Sequence, residues 1–228
     1  MHPGRARAQP EAQEVPKGGT TVEEMTAPAP SQAGRTRSGP ATRERILDAA
    51  AELFYAHGIR AVSADRITAL AGITKVTFYR HFPTKDDLIV AYLERRAAWE
   101  RDAVAQARAA AGQPGDAFRM IAEGIGQESC SPGFRGCPFI NAAAEYADAD
   151  HPVRLVVDAH RHWFKQAIVE LLDELDVRDS PRVADQLVML RDGAMVSGYL
   201  SDPEMVAAAL YAAGRAIIER GPAAQRPR

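Results

Sequence analysis

S-A-D-R-I-T-A-L-A-G-I-T-K-V-T-F-Y-R-H-F, residues Ser63 to Phe82, is the stretch from which the rest of the chain can be read. Its first half puts Ile67, Leu70 and Ala71 on one side of a short helix. Gly72 follows, a residue that enters the left-handed backbone region without steric cost and so ends a helix. Ile73 plugs the corner, and the Thr74 side chain is placed to cap a second short helix. In that helix Phe78 faces inward with Phe82, which leaves Lys75, Val76, Thr77, Tyr79 and His81 on the outer face and first turn. Two short helices joined by a tight glycine turn form a helix-turn-helix.

The exposed set has the chemistry to read a duplex. Lys75 can donate to guanine O6 and N7, and Val76 and the Thr77 methyl can touch a thymine methyl. Tyr79, His81 and Lys85 offer hydroxyl, imidazole and ammonium groups to phosphates, and Thr42 and Ser63 stand at expected helix amino termini where backbone amides can join them. The full chain of 228 residues has a formal charge of -2, so a surface for nucleic acid has to be local. It is: between Gly34 and Phe82 eight lysines and arginines face four acids.

Outward from the motif, apolar residues keep helical spacing, beginning with Ile46, Ala50, Leu53 and Phe54, and no segment alternates with period two. The spacing predicts an all-α protein of about nine helices. Thr42, Ser63 and Thr74 read as caps, Thr84 with Asp87 as a capping box, and His151-Pro152, Ser180-Pro181 and Asp202-Pro203 as later helix starts. Residues 1–39, with Pro3, Pro10, Pro16, Pro28 and Pro30, carry few large apolar groups and read as a disordered arm whose Arg35 and Arg37 could meet phosphates; 221–228 read as a frayed tail.

T-R-E-R-I-L-D-A-A-A-E-L-F-Y-A-H-G-I (42–59), the motif above and P-T-K-D-D-L (83–88) together resemble the DNA-binding domain of the tetracycline-repressor (TetR) family. The resemblance covers roughly residues 42–95. It implies a helix-turn-helix domain at 40–100, a ligand-binding and dimerisation domain at 101–220, a homodimer on a palindromic operator, and a repressor released when a small organic molecule binds. Two residues depart from the family pattern: Thr68 where alanine is usual, and Val76 where glycine, alanine or proline is common.

Behind the motif, a long helix from Thr84 to about Ala111 with Leu88, Tyr92 and Trp99 at helical spacing would join the two parts, and another from Pro152 carries Val153, Val156, His160, Trp163, Ala167 and Leu171 on one face. The candidate ligand region is enclosed by Phe118, Ile121, Phe139, Asn141, Tyr146, Trp163, Met189, Met195 and Tyr199, apolar walls with few polar groups. Small residues on the last two helices, Ala194, Ser197, Gly198, Ala209, Ala213 and Ala216, suit close docking against a second copy, with intramolecular packing as the alternative. Cys130 and Cys137 are too few for a disulfide framework, which favours the cytoplasm, and Cys137 before Pro138 at a helix start is a candidate redox sensor. His160 and His162 fall on different faces, so no metal or other cofactor is expected. No nucleophile elbow, phosphate loop or zinc spacing occurs, so the expected protein is a transcription regulator and not an enzyme. The competing reading is a cytosolic helical small-molecule or redox sensor with a vestigial DNA-binding module.

Overall fold

The computed structural model describes residues 39–220, so the expected arm at 1–39, apart from Gly39, and the expected tail at 221–228 lie outside the described residues. Nine α-helices and one 3₁₀ turn make up the architecture, with no strand among the described residues. They are α1 (Gly39–His57), α2 (Ala64–Ala71), α3 (Lys75–His81), α4 (Lys85–Ala110), α5 (Pro114–Ser129), α6 (Pro138–Glu145), α7 (Pro152–Glu174), α8 (Ser180–Leu200) and α9 (Val206–Arg220), with the 3₁₀ turn at Pro203–Met205.

Local chemistry sets most of these boundaries. Ser63 accepts from Arg66 N and Thr74 from Thr77 N, each satisfying an amide that its helix leaves unpaired. Thr84 and Asp87 close the expected capping box. His151 caps α7 through its ring nitrogen ahead of Pro152. Two expectations shift. Thr42 is no cap, because α1 begins three residues earlier and buries it. Ser180 is already helical, and Asp179, in the left-handed region at φ 52°, precedes it.

α1, α2 and α3 enclose Ile46, Leu47, Phe54, Val62, Ile67, Phe78 and Phe82, a core that continues through Leu88, Ile89 and Leu93 of α4. Leu70, expected on the inward side of α2, is 48% exposed, and Thr68 is buried in its place with its hydroxyl donating to Asp65 O. Positions 67, 68 and 71 form the inward stripe because α2 turns by 3.6 residues, which carries position 70 off it. Trp99 of α4 is likewise exposed, under the Arg96 guanidinium.

α4 runs without a break past residue 100 and packs on α1, α5 and α7. A second core cluster joins α4, α7 and α8 through Val104, Phe164, Ile168, Leu172, Val183 and Leu187. On α7 the buried positions include Val157 and Phe164, while Val156 and Trp163 are only half-buried. α5 crosses α9 so closely that a Cβ on Gly126 would stand 2.4 Å from Ala207 Cβ.

Candidate nucleic-acid interface and sensor cavity

Gly72, at φ 61° and ψ 47°, turns the chain between α2 and α3, and its amide closes the end of α2 on the carbonyls of Thr68 and Ala69. A residue the sequence reading passed over secures the corner from behind: Arg45 of α1 donates to the carbonyls of Ala71 and Gly72. Phe78 is fully buried, so α3 can rotate only as a unit with the core. That fixes the direction of its other side chains.

On the outer side, Val76 is 80% exposed and Tyr79 about half exposed. Lys75 is exposed and its ammonium lies 2.8 Å from Asp65 at the start of α2, a hydrogen bond that also holds its pKa above the ordinary lysine value. Thr77 is half-buried, its hydroxyl 3.0 Å from that of Thr74. These four share one surface. His81 differs: half-buried near Gly39, it has its Nε2 buried with no partner among the described residues.

Lys85 also departs from the expected outward placement. Its ammonium donates to Ile59 O at 2.6 Å and lies 5.8 Å from the Phe54 ring, and burial pulls its pKa below the ordinary value despite the nearby carboxylates of Glu145 and Asp86. Thr42 is buried too, so neither residue presents its polar atom to solvent as Ser63 does. Arg66 and Arg80, which the sequence reading did not select, are exposed on α2 and α3. Sequence carried a signal for them: both lie on the outer side of the motif opposite its buried positions.

The region behind the DNA-binding helices is joined to them by a short set of polar bonds. Glu145, the last residue of α6, accepts from Ile59 N at 2.8 Å and Arg60 N at 2.6 Å in the turn after α1. Tyr55 of α1 donates to Gly136 O at 2.8 Å and accepts from Arg135 N at 2.9 Å, and Arg135 Nη1 donates to Ala56 O at 2.7 Å. The irregular stretch before α6 is thereby attached to the end of α1. Burial raises the Tyr55 pKa, so its hydroxyl stays protonated and able to donate.

A cavity of about 260 Å³, partly open to solvent, lies between α5, α7, α8 and α9, and its apolar wall includes Phe118, Ile121, Ile125, Phe164, Leu187 and Leu210. A second cavity of about 140 Å³ adjoins it and shares Ile121, Ile125, Phe164 and Arg191. Of the ligand candidates, Phe118 and Ile121 line the main cavity. The others are elsewhere: Met195 is wholly buried core, Met189 is exposed, and Tyr146 packs on His151. Asn141 and Tyr199 border a surface groove near Arg135, where Asn141 donates to Arg135 O. Phe139 stacks on His160 at 3.6 Å, and Trp163 lies beside the same imidazole at 5.5 Å. Helical spacing marks a side chain as inward, but core and cavity wall both satisfy it.

The sequence reading missed the cavity's buried charge. Arg191 of α8 is 7% exposed, with Nη1 donating to Cys137 Sγ at 3.2 Å and Nη2 3.5 Å from Glu100. Glu100 also accepts from His160 Nε2 at 2.9 Å and from Arg96 Nε at 3.0 Å. Burial disfavours both ions, yet the His160 hydrogen bond with Arg191 and Arg96 holds Glu100 below the ordinary carboxylate value, and Cys137 with Glu100 and Asp192 holds Arg191 above the ordinary guanidinium value. Both cysteines are free; Cys137 is buried at the head of α6, and Cys130 is exposed.

Residues 46–92 match the model of the bacterial regulatory proteins of the tetR family. The HTH-type transcriptional regulator SrpR of Pseudomonas putida is 42% identical over 55 residues, 24% of this chain and 26% of that relative, so the likeness spans about a quarter of its length. A TetR-family transcriptional regulator of Streptomyces coelicolor is 44% identical in its crystal structure, covering 80% of this chain and 96% of that one with a TM-score of 0.77. A TetR transcriptional regulator of Chloroflexus aurantiacus is 25% identical, covering 80% and 96%, with a TM-score of 0.70. With the helix-turn-helix, the all-helical body and near-complete coverage of a 44%-identical regulator, the chain belongs to the TetR family of transcriptional regulators.

Proposed function

We propose that this regulator binds a palindromic operator as a homodimer, as a cytoplasmic repressor, and leaves it when a small organic molecule enters the cavity behind the DNA-binding helices. The observation that carries the first part is the outer surface of α3. A valine 80% exposed on a capped, rigidly backed helix gives up its apolar surface to water in the free protein, and a thymine methyl would cover it. Lys75, Thr77 and Tyr79 surround it with hydrogen-bonding groups, and Ser63, Arg66 and Arg80 flank the same surface for phosphates.

Support for the dimer comes from α8 and α9. Met189, Gly193, Val196 and Leu200 are exposed along one stripe of α8, and Ala208, Ala209 and Ala212 are exposed on α9. Paired with its two-fold mate, such a face buries apolar surface and allows close helix approach. Not every small residue named from sequence belongs there, since Gly198 turns inward against Ser129 and Phe134. A groove of about 580 Å³ between the start of α8 and the end of α9, lined in part by Ala213 and Ala216, borders the same region. Support for release comes from the bonds of Glu145, Tyr55 and Arg135, through which a shift of α6 would act on the end of α1.

Footprinting on the DNA upstream of its own gene tests the proposal. Two protected half-sites related by symmetry are expected, with protection lost in Lys75→Ala/Tyr79→Ala. Protection of a single half-site, or of no site at all, would contradict it.

A further inference from the structure

The cavity wall is apolar except for a few groups, and the one that is deeply buried is unusual in its bonding. Arg191 lines both adjoining cavities, with its guanidinium 5.3 Å from the centre of the Phe164 ring, which lines both as well. Its terminal nitrogens are engaged by Cys137, Glu100 and Asp192, but Nε is buried with no hydrogen-bond partner among the described residues. A buried donor on a charged group left unpaired is costly, and an acceptor supplied from the cavity would relieve that cost.

Charge then narrows what the acceptor can be. Around Arg191 stand Arg96 and Glu100 from α4, Glu128 from α5, Cys137 at the head of α6, His160 and Arg161 from α7, and Asp192 from α8. Three guanidinium groups are paired there with three carboxylates: Arg96 with Glu100 and Glu128, Arg161 with Asp192, and Arg191 with Glu100 and Asp192. At the cavity mouth Arg215 is paired with Glu219, and Asp116 with Arg119. Among the described residues an arriving carboxylate would find each of these guanidinium groups already paired, and would face Glu100 and Asp192. A neutral oxygen acceptor meets no such penalty.

We propose that the effector is an uncharged, mainly hydrophobic molecule whose carbonyl-type oxygen accepts a hydrogen bond from Arg191 Nε. This rests on reading the cavity as the effector site. On the scale in which a dry cavity of about 150 Å³ takes one benzene, the main cavity holds a body of about ten non-hydrogen atoms. Because Nε is covered by its surroundings, capture turns the guanidinium and draws Nη1 from Cys137 Sγ at the head of α6. Recognition is thereby joined to the helix whose other end, Glu145, holds the turn after α1.

Three probes of matched size test this: 1-tetralone, its parent hydrocarbon 1,2,3,4-tetrahydronaphthalene, and 1-naphthoate, each titrated into the full-length protein by calorimetry. The ketone should bind at least about tenfold more tightly than the hydrocarbon, as suits a hydrogen bond from a charged donor, and naphthoate no more tightly than the ketone. Arg191→Lys keeps the charge but has no Nε, and should erase the gap between ketone and hydrocarbon. The infrared carbonyl stretch of 1-tetralone bound to the unmutated protein should fall below its value in a hydrocarbon solvent, a readout that survives if the variant does not fold. Equal binding of ketone and hydrocarbon, or an unshifted stretch, would refute acceptor recognition while leaving the cavity as an effector site. Tightest binding by naphthoate would replace it with anion recognition. Binding of none of the three, by protein that still binds DNA, would overturn the cavity reading itself.

Discussion

Asp65 and Lys75 occupy the same exposed surface, and their ion pair has a consequence for DNA binding. On the proposed reading of α3 the Asp65 carboxylate competes with DNA for the Lys75 ammonium, and the pair has to open before Lys75 reaches a guanine. Asp65→Asn should therefore tighten binding to all duplexes, measured by anisotropy at fixed salt, whereas Lys75→Ala should relax preference at one operator position on the order of tenfold. Weaker binding of Asp65→Asn would show that the carboxylate positions Lys75 and does not compete for it. At Gly72 a Cβ has room, the nearest atom being an Arg45 nitrogen at 3.5 Å, so the cost of Gly72→Ala is that of the left-handed backbone alone, about 1–2 kcal/mol in a denaturant melt. Glu100 has its pKa lowered, so its bonds to His160, Arg191 and Arg96 contribute stability above the ordinary carboxylate value of 4.5 and lose it as pH falls through the lower folded value. Glu100→Gln should cost about 3–5 kcal/mol near neutrality by stranding buried charge, and its stability should fall less steeply on acidification than that of the unmutated protein. Residues of the turn were legible because glycine and capping threonines act locally. Lys85 was not, since only the fold brings the Ile59 carbonyl within 2.6 Å of its ammonium.

Among the elements, α6 joins the turn after α1 to Arg191 of α8. It is eight residues long, with Cys137 against Arg191 at one end and Glu145 on the amides of Ile59 and Arg60 at the other. Glu145→Ala should leave the helix-turn-helix folded but loosen its attachment, so that operator affinity falls only modestly while the response to effector weakens, read as a smaller shift of half-dissociation concentration on adding ligand. An undiminished response would place the coupling in α4 instead. The α5–α9 crossing is the contrasting rigid element. A methyl on Gly126 meets Ala207 Cβ and its backbone, so Gly126→Ala should destabilise by about 1–3 kcal/mol through overpacking. The starts of α2, α3, α4, α6, α7 and α8 were legible because capping residues and prolines punctuate them locally. Sequence periodicity misjudged Leu70, Trp99 and Met189, whose apolar side chains suit a buried stripe but stand at angles that the neighbouring helices leave open.

For the molecule as a whole, Met189, Val196 and Leu200 form an exposed apolar stripe on α8 that the proposed dimer would cover. Val196→Glu/Leu200→Glu should yield a monomer by sedimentation velocity and lose operator affinity, because one helix-turn-helix reads only a half-site. A dimer persisting in that variant would move the interface elsewhere. Fold class and the DNA-binding half were legible in sequence because the Ser63–Phe82 motif is contiguous. The cavity was not, because Phe118, Phe164, Arg191 and Leu210 come from four separate helices and converge only when these pack. Fluorescence anisotropy across a salt series, with the DNA upstream of its own gene and a scrambled duplex of the same composition, tests the central claim most directly. Preferential binding to the upstream duplex, with affinity falling steeply and log-linearly with salt as released counterions require, is the predicted result. Equal affinity for both duplexes at every salt concentration, or no binding at low salt, would contradict it.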